Sequence, residues 1–176
     1  MTSAFVIRRA EGADAARLAA FGERTFRDTF AGDNTPEDMA AYLAQAFGEE
    51  IQRAELASPA VTALLAEREG ALAGYALLRE GGDSAGHVLG DRPVELQRLY
   101  VDSATKGQGL AQALMARVEE EALRRGGDVL WLGVWERNPR AIAFYRKCGF
   151  ADVGTHEFLL GKDRQTDRVM RKPLAP

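Results

Sequence analysis

The sequence predicts a mixed α/β chain with a parallel strand pair at its heart, and three observations predict it. Val94–Val101, rich in Val, Leu and Tyr, reads as a strand. Leu110, Leu114, Val118 and Ala122 stand four apart, with Ala113 and Met115 beside them, which is the apolar stripe of an amphipathic helix. Gly126-Gly127-Asp128 stops that helix, and Val129–Val134 follows as a second apolar strand. A strand–helix–strand run of this kind brings its two strands side by side in parallel.

The remaining elements follow in order. Phe5–Arg9 reads as an opening or edge strand, and Gly12-Ala13-Asp14 as a turn with a helix cap. Ala15–Phe30 reads as a helix with Leu18, Phe21, Thr25 and Thr29 roughly on one side. Gly32–Pro36 breaks it. Thr35 as cap, Pro36 at the first helical position and Glu37-Asp38 in the first turn begin a second helix, which runs to near Gly48. A short third helix, Glu49–Leu56, stops before Ser58-Pro59. Val61–Ala66 and Leu72–Leu78, joined through Glu67-Arg68-Glu69-Gly70, carry a hairpin signal. Gly81–Arg92 is polar and glycine-bearing, so a mobile loop is expected there. Asn138-Pro139 caps a helix over Arg140–Cys148, ended by Gly149. Phe150 onward and Arg168–Lys172 read as closing strands around a polar hairpin, Gly161–Thr166.

The chain has 176 residues, and no boundary or linker interrupts it, so residues 1–176 are read as one domain. Hydrophobic residues make up 46% and charged residues 28%, the profile of a soluble globular protein. A net charge of −3 argues against a nucleic-acid partner, which would want a basic surface. The lone Cys148 excludes an internal disulfide and fits a reducing cytoplasm. No signal pattern is read at the start, and no apolar run is long enough to span a bilayer, so no membrane role is expected. His87 and His156 are the only histidines and stand too far apart in sequence to suggest a metal site.

Between the central strand and its helix lies Ser103-Ala104-Thr105-Lys106-Gly107-Gln108-Gly109. A helix N-terminus offers unpaired N–H groups and the positive end of a dipole, so such a turn suits a phosphate. The glycines allow close backbone approach. A nucleotide-hydrolase P-loop would require Gly-Lys-Ser/Thr, and a Rossmann fingerprint would require three spaced glycines; neither is present. Lys106-Gly107-Gln108-Gly109-Leu110-Ala111 resembles instead the pyrophosphate loop of the GNAT superfamily of N-acetyltransferases, written Q/R-x-x-G-x-G/A. Lys106 departs from the usual Gln or Arg while keeping a donor.

A second segment resembles the same superfamily. Val134, Asn138, Ala141, Phe144, Tyr145, Gly149 and Phe150 fall in register with V-x(3)-N-x-x-A-x-x-F-Y-x-x-x-G-F. The resemblance covers roughly residues 60–172. Less specifically, Thr25–Phe30, Glu37-Asp38-Met39, Tyr42-Leu43 and Asp163–Asp167 resemble the PaiA-like polyamine N-acetyltransferase branch. The resemblance implies a mostly antiparallel sheet with one central parallel pair splayed for acetyl-CoA, and helices on both faces. It implies that pantetheine pairs with backbone around Leu99, Tyr100 and Val101, and that the pyrophosphate meets the turn through Gly107, Gln108, Gly109, Leu110 and Ala111. A small-molecule amine, a polyamine among the candidates, is the implied acceptor; a protein amine, or acetyl-CoA sensing without turnover, are the alternatives. Homodimers occur among such relatives.

Amide formation from an amine and a thioester needs a proton acceptor for the ammonium and a donor for the departing thiolate. The resemblance makes Tyr145 the general acid; the alternative is a core aromatic, since it shares a helical face with Ala141, Phe144 and Cys148. Glu95 is the candidate base, directly or through water, against a solvated strand carboxylate. By strict alternation it shares a face with Gln97 and Leu99. Asn138 reads as a cofactor contact or an N-cap. Arg140 and Lys147 read as CoA-phosphate contacts or solvent-facing cations. Cys148 reads as core filler. Asp28, Asp33, Glu37 and Asp38 would attract a polyamine, while Glu37 and Asp38 read equally as helix-start residues and nothing more.

Overall fold

The computed structural model describes residues 4–83 and 85–175. Its regular elements are β1 (Val6–Arg9), α1 (Ala15–Phe30), α2 (Pro36–Ala46), α3 (Glu49–Ala57), β2 (Val61–Arg68), β3 (Ala71–Glu80), β4 (Pro93–Val101), α4 (Leu110–Arg124), β5 (Val129–Trp135), α5 (Pro139–Lys147), β6 (Ala151–Leu160) and β7 (Asp163–Pro173). The helix starts are chemical. Thr35 Oγ1 accepts from the Asp38 N–H and Asn138 Oδ1 from the Ala141 N–H, each with proline at the first helical position.

The seven strands run in the order β1-β2-β3-β4-β5-β7-β6. Every neighbouring pair is antiparallel except β4–β5. The strand–helix–strand unit thus forms the parallel pair expected from it. Alternation along the strands divides the apolar residues between two faces. Leu64, Ala76, Leu96, Leu130 and Leu132 pack with Leu110, Leu114 and Val118 of α4 and Ile142 of α5. Ala63, Leu65, Tyr75 and Leu77 pack on the other face with Leu18 and Phe21 of α1. Further along that face, Phe26, Met39, Leu43, Phe47 and Leu160 form an aromatic-rich cluster.

Three sequence expectations are revised. The closing hairpin is longer than expected, because its turn is only Gly161-Lys162 and Asp163–Thr166 belong to β7. Polar residues concealed the strand period there. In the stretch Gly81–Arg92, of which Ser84 lies outside the described residues, several residues are anchored where a mobile loop is expected. Val88 is buried, its N–H donates to Asp83, and the Asp91 and Arg92 N–H groups both donate to the Asp128 carboxylate. Third, β4 carries an irregularity: Leu77 pairs with Arg98 but Leu78 pairs with Leu96, so Gln97 is an extra residue. Leu99 therefore joins the α4 side of the core, and Glu95 shares its face with Arg98 and Tyr100 instead. Among the described residues, no helix is long and apolar enough to cross a membrane.

Candidate active site

The parallel pairing of β4 and β5 is short. It runs Pro93 with Val129, Val94 with Leu130 and Glu95 with Trp131, and then stops. β4 continues to Val101, held on its other side by β3, and β5 continues to Trp135, held by β7. Beyond Glu95 and Trp131 the two strands part, so one edge of Gln97–Val101 faces a gap with no strand to receive its hydrogen bonds. Backbone groups in such a position call for a partner. Leu99, Tyr100 and Val101, half-buried, border this gap from β4.

At the far end of β4 the chain makes the glycine turn. Gly107 and Gly109 both have φ of +79°, which an L side chain adopts only with strain, and a Cβ at either would meet no atom within 4 Å. The surface above the turn is therefore open. Gly109 is the N-cap of α4 and brings no side chain to its first N–H groups, which remain available to an anion. Leu110 is buried in the core, so only its backbone can take part, while Ala111 is half-buried. Lys106 is exposed. The Gln108 side chain is engaged elsewhere: its Oε1 accepts from Arg68 at 2.7 Å, and its Nε2 donates to the Ala104 carbonyl at 2.9 Å. Arg68, which the sequence reading passed over, thus stands beside the turn.

On α5, Tyr145 packs against Phe144 and Phe150 with ring centroids 5.4 and 5.8 Å apart. Burial raises its phenol above the ordinary tyrosine value, with the neighbouring Cys148 adding to the shift. It keeps its proton through neutral pH and is a donor, never a base, there. Cys148 is half-buried, and burial pushes its thiol up as well, which suits filler and not a nucleophile. Asn138 caps α5 as described. Arg140 and Lys147 are exposed.

Glu95 stands where the strands part. It is half-buried, and desolvation raises its carboxyl above the usual range against the opposing pull of Arg79, His156 and Arg98. Arg79 is its cross-strand partner on β3. Arg98 is buried and held by both oxygens of Glu55, at 2.8 and 3.2 Å, with its guanidinium over the Phe47 ring. Beside it, Phe26, Phe47 and Tyr75 surround Tyr100 in edge-on or tilted contacts. Phe30 meets Trp135 from the β5 side. The face of the sheet beside Glu95 is thus walled by α1–α3 at one end and by the Gly81–Arg92 segment at the other, where Trp131 Nε1 donates to the Gly81 carbonyl. Of the acidic residues of the N-terminal helices, Asp38 accepts from the Lys162 N–H and from Thr35, and Asp28 lies 3.9 Å from Arg24.

The sheet thus carries a split parallel pair, an uncapped glycine turn, a half-buried tyrosine on α5 and a desolvated carboxylate where the strands part. The Acetyltransferase (GNAT) family pattern matches residues 24–150, which is most of the chain. The protein belongs to the GNAT family. Among relatives of this acetyltransferase, an uncharacterised N-acetyltransferase from the pepI 3′ region of Lactobacillus delbrueckii subsp. lactis is 34% identical over 174 residues, covering 99% of both chains. An uncharacterised N-acetyltransferase of Mycobacterium tuberculosis is 36% identical over 161 residues, covering 92% of this chain and 98% of that one. The crystal structure of the PaiA N-acetyltransferase from Thermoplasma acidophilum in complex with coenzyme A shares the fold. Its TM-score is 0.77 at 20% identity, covering 97% of this chain and 99% of that one.

Within this GNAT chain the sequence reading missed four residues near the site: Arg68, Arg98, His156 and Asp167. Arg98 was hidden because the extra residue in β4 breaks the period that would have turned it inward with Glu95. His156 and Asp167 face one another across β6 and β7, a relation that only the long hairpin creates.

Proposed function

We propose that the protein transfers an acetyl group from acetyl-CoA to the amine of a small molecule. The observation that carries this reading is the gap beyond Glu95 and Trp131, an unfilled strand position in a GNAT sheet. Pantetheine carries amide groups and can pair with the free edge of Gln97–Val101 as an added strand would. The pyrophosphate then reaches the N–H groups of Gly107, Gly109, Leu110 and Ala111, with Lys106 adding charge from solvent and Arg68 supporting the turn through Gln108. Gln108 takes part through its backbone. Asn138, Arg140 and Lys147 lie on the α5 side, where the exposed cations suit the more distant phosphate of CoA.

In the reaction the amine nitrogen attacks the thioester carbonyl, the C–S bond breaks, and the thiolate leaves. Tyr145 supplies the proton to that thiolate, and its buried phenol holds the proton until the sulfur demands it. Glu95 receives the ammonium in the cleft and draws its proton, directly or through water. The acceptor enters beside the half-buried aromatic groups Phe30, Tyr100 and Trp135, which favour an amine carried on an apolar or aromatic body and leave a polyamine as one member of a panel. A free, half-buried Cys148 fits work in the reducing cytoplasm.

The test is thiol release from acetyl-CoA with spermidine, glucosamine, an alanine-terminated peptide and phenylethylamine as acceptors. Release that depends on an added amine supports the reading. Tight acetyl-CoA binding with no release for any of them would favour a sensor.

A further inference from the structure

Resting on the acetyltransferase reading above, we propose that His156, held by Asp167 over Gly133, is the group on which the acceptor's ammonium proton comes to rest. β6 is an edge strand, separated from β5 by β7. The His156 imidazole nevertheless spans β7 and ends above β5. A Cβ built on Gly133 would lie 2.9 Å from both its Cε1 and its Nε2, and 3.2 Å from Asp167 Oδ2. Any side chain at position 133 would displace the ring. Trp131, paired with Glu95, is the preceding residue on this face of β5, so Gly133 is the first same-face position where the gap has opened. The imidazole therefore faces Glu95 across the mouth of the cleft.

Its electrostatic surroundings are one-sided. Asp167 of β7 lies 3.4 Å from Nε2, Glu95 faces it from β4, and Asp83 faces it from the segment before β4. All three raise the basicity of the ring, Asp167 most, and burial only partly opposes them. His87, packed over Gly154 on the same strand, is occupied by Asp83 at 2.8 Å. Arg79 and Arg98 are offset by Glu55 and Glu95, so with a neutral His156 the carboxylates of Asp167 and Asp83 leave this surface net negative, which suits an ammonium.

The step balances as follows. Glu95 draws one proton from the ammonium, directly or through water, and it passes on to Nδ1 of the neutral imidazole, whose Nε2–H faces Asp167, giving an imidazolium beside that carboxylate. The freed lone pair forms the N–C bond, the C–S bond breaks, and the thiolate takes the Tyr145 proton. The surplus proton on the acylated nitrogen restores the phenol. The imidazole side chain is 30% exposed and returns its proton to water. His156 is then a catalytic residue and Asp167 a positioning residue.

Histidine-labelled protein tests this by NMR, because the chain has two histidines and His156→Gln assigns them. The His156 resonance should titrate above the ordinary value of 6.5, and Asp167→Asn should lower that midpoint. Acetyl-CoA should shift the His156 resonance as well. A His156 signal indifferent to acetyl-CoA in protein that binds it overturns the proposal, whether or not an acceptor is in hand. Protein that does not bind acetyl-CoA contradicts the acetyltransferase reading instead. With the fastest amine of the panel, His156→Gln should lower kcat about 10²-fold at unchanged acetyl-CoA affinity and abolish the acidic limb of the pH profile. Asp167→Asn, which keeps the side-chain shape, should move that limb to lower pH. A wild-type kcat and pH profile in His156→Gln would overturn the proposal.

Discussion

Glu95 and Trp131 are the last two residues through which β4 and β5 lie side by side as parallel neighbours. Everything the site does follows from their separation. Above them one edge of β4 is unpaired, beside them Glu95 is desolvated, and beyond them Gly133 leaves room for an imidazole from the far strand.

The glycine turn gives the first prediction. Gly109→Glu places a carboxylate over the α4 N-terminus and forces a side chain into a φ of +79°, at a cost of about 1–2 kcal/mol to the fold. Acetyl-CoA should raise the melting temperature of wild type by mass action and leave the variant almost unmoved. Equal ligand-induced shifts in the two proteins would remove the phosphate from this turn.

Lys106 gives the second. It is exposed and acts as a point charge, so Lys106→Ala should raise KM for acetyl-CoA more at low than at high ionic strength. A KM indifferent to the substitution at both salts would leave this lysine in solvent.

Much of this was legible before any coordinates, and for local reasons. Thr35-Pro36 and Asn138-Pro139 announce helix starts by side-chain chemistry, and Gly107 and Gly109 announce a strained turn. The parallel pair follows from a strand, an amphipathic helix and a strand in succession. What stayed hidden depends on distant partners. The extra residue at Gln97 is defined only by its pairing with β3, and it moved Leu99 off the Glu95 face. The Gln108 side chain is claimed by Arg68, forty residues away. His156 and Asp167 stand on strands whose polar residues hid the alternation, and only the pairing of β6 with β7 brings them together.

Tyr145→Phe gives the third prediction. The ring and its contacts with Phe144 and Phe150 survive, so stability and acetyl-CoA affinity should change little. Turnover should fall by roughly 10²-fold, the scale of a positioned acid. Because burial raises the phenol, wild-type activity should show no loss between pH 7 and 9 from this group. Normal turnover in the variant would leave the thiolate to take its proton from water.

Glu95 gives the fourth, through stability. Its folded-state pKa lies above the ordinary glutamate value of 4.5. The stability linked to its protonated form is complete below that value and is lost as pH rises through the folded pKa. At neutral pH the ionised carboxylate therefore weighs against the fold. Glu95→Gln should melt higher than wild type at pH 7, with the difference shrinking toward pH 4, while turnover falls. A variant less stable than wild type at pH 7 would mean that Arg79 and Arg98 outweigh desolvation.

The central claim is that acetyl-CoA fills the missing strand between β4 and β5, and amide hydrogen exchange tests it most directly. Saturating acetyl-CoA should slow exchange at amides within Gln97–Val101 and at the start of α4, from Gly107 to Gln112, while the β3–β2 amides behind them change little. Acetyl-CoA bound with protection elsewhere, and none along the free edge of β4, would contradict the account.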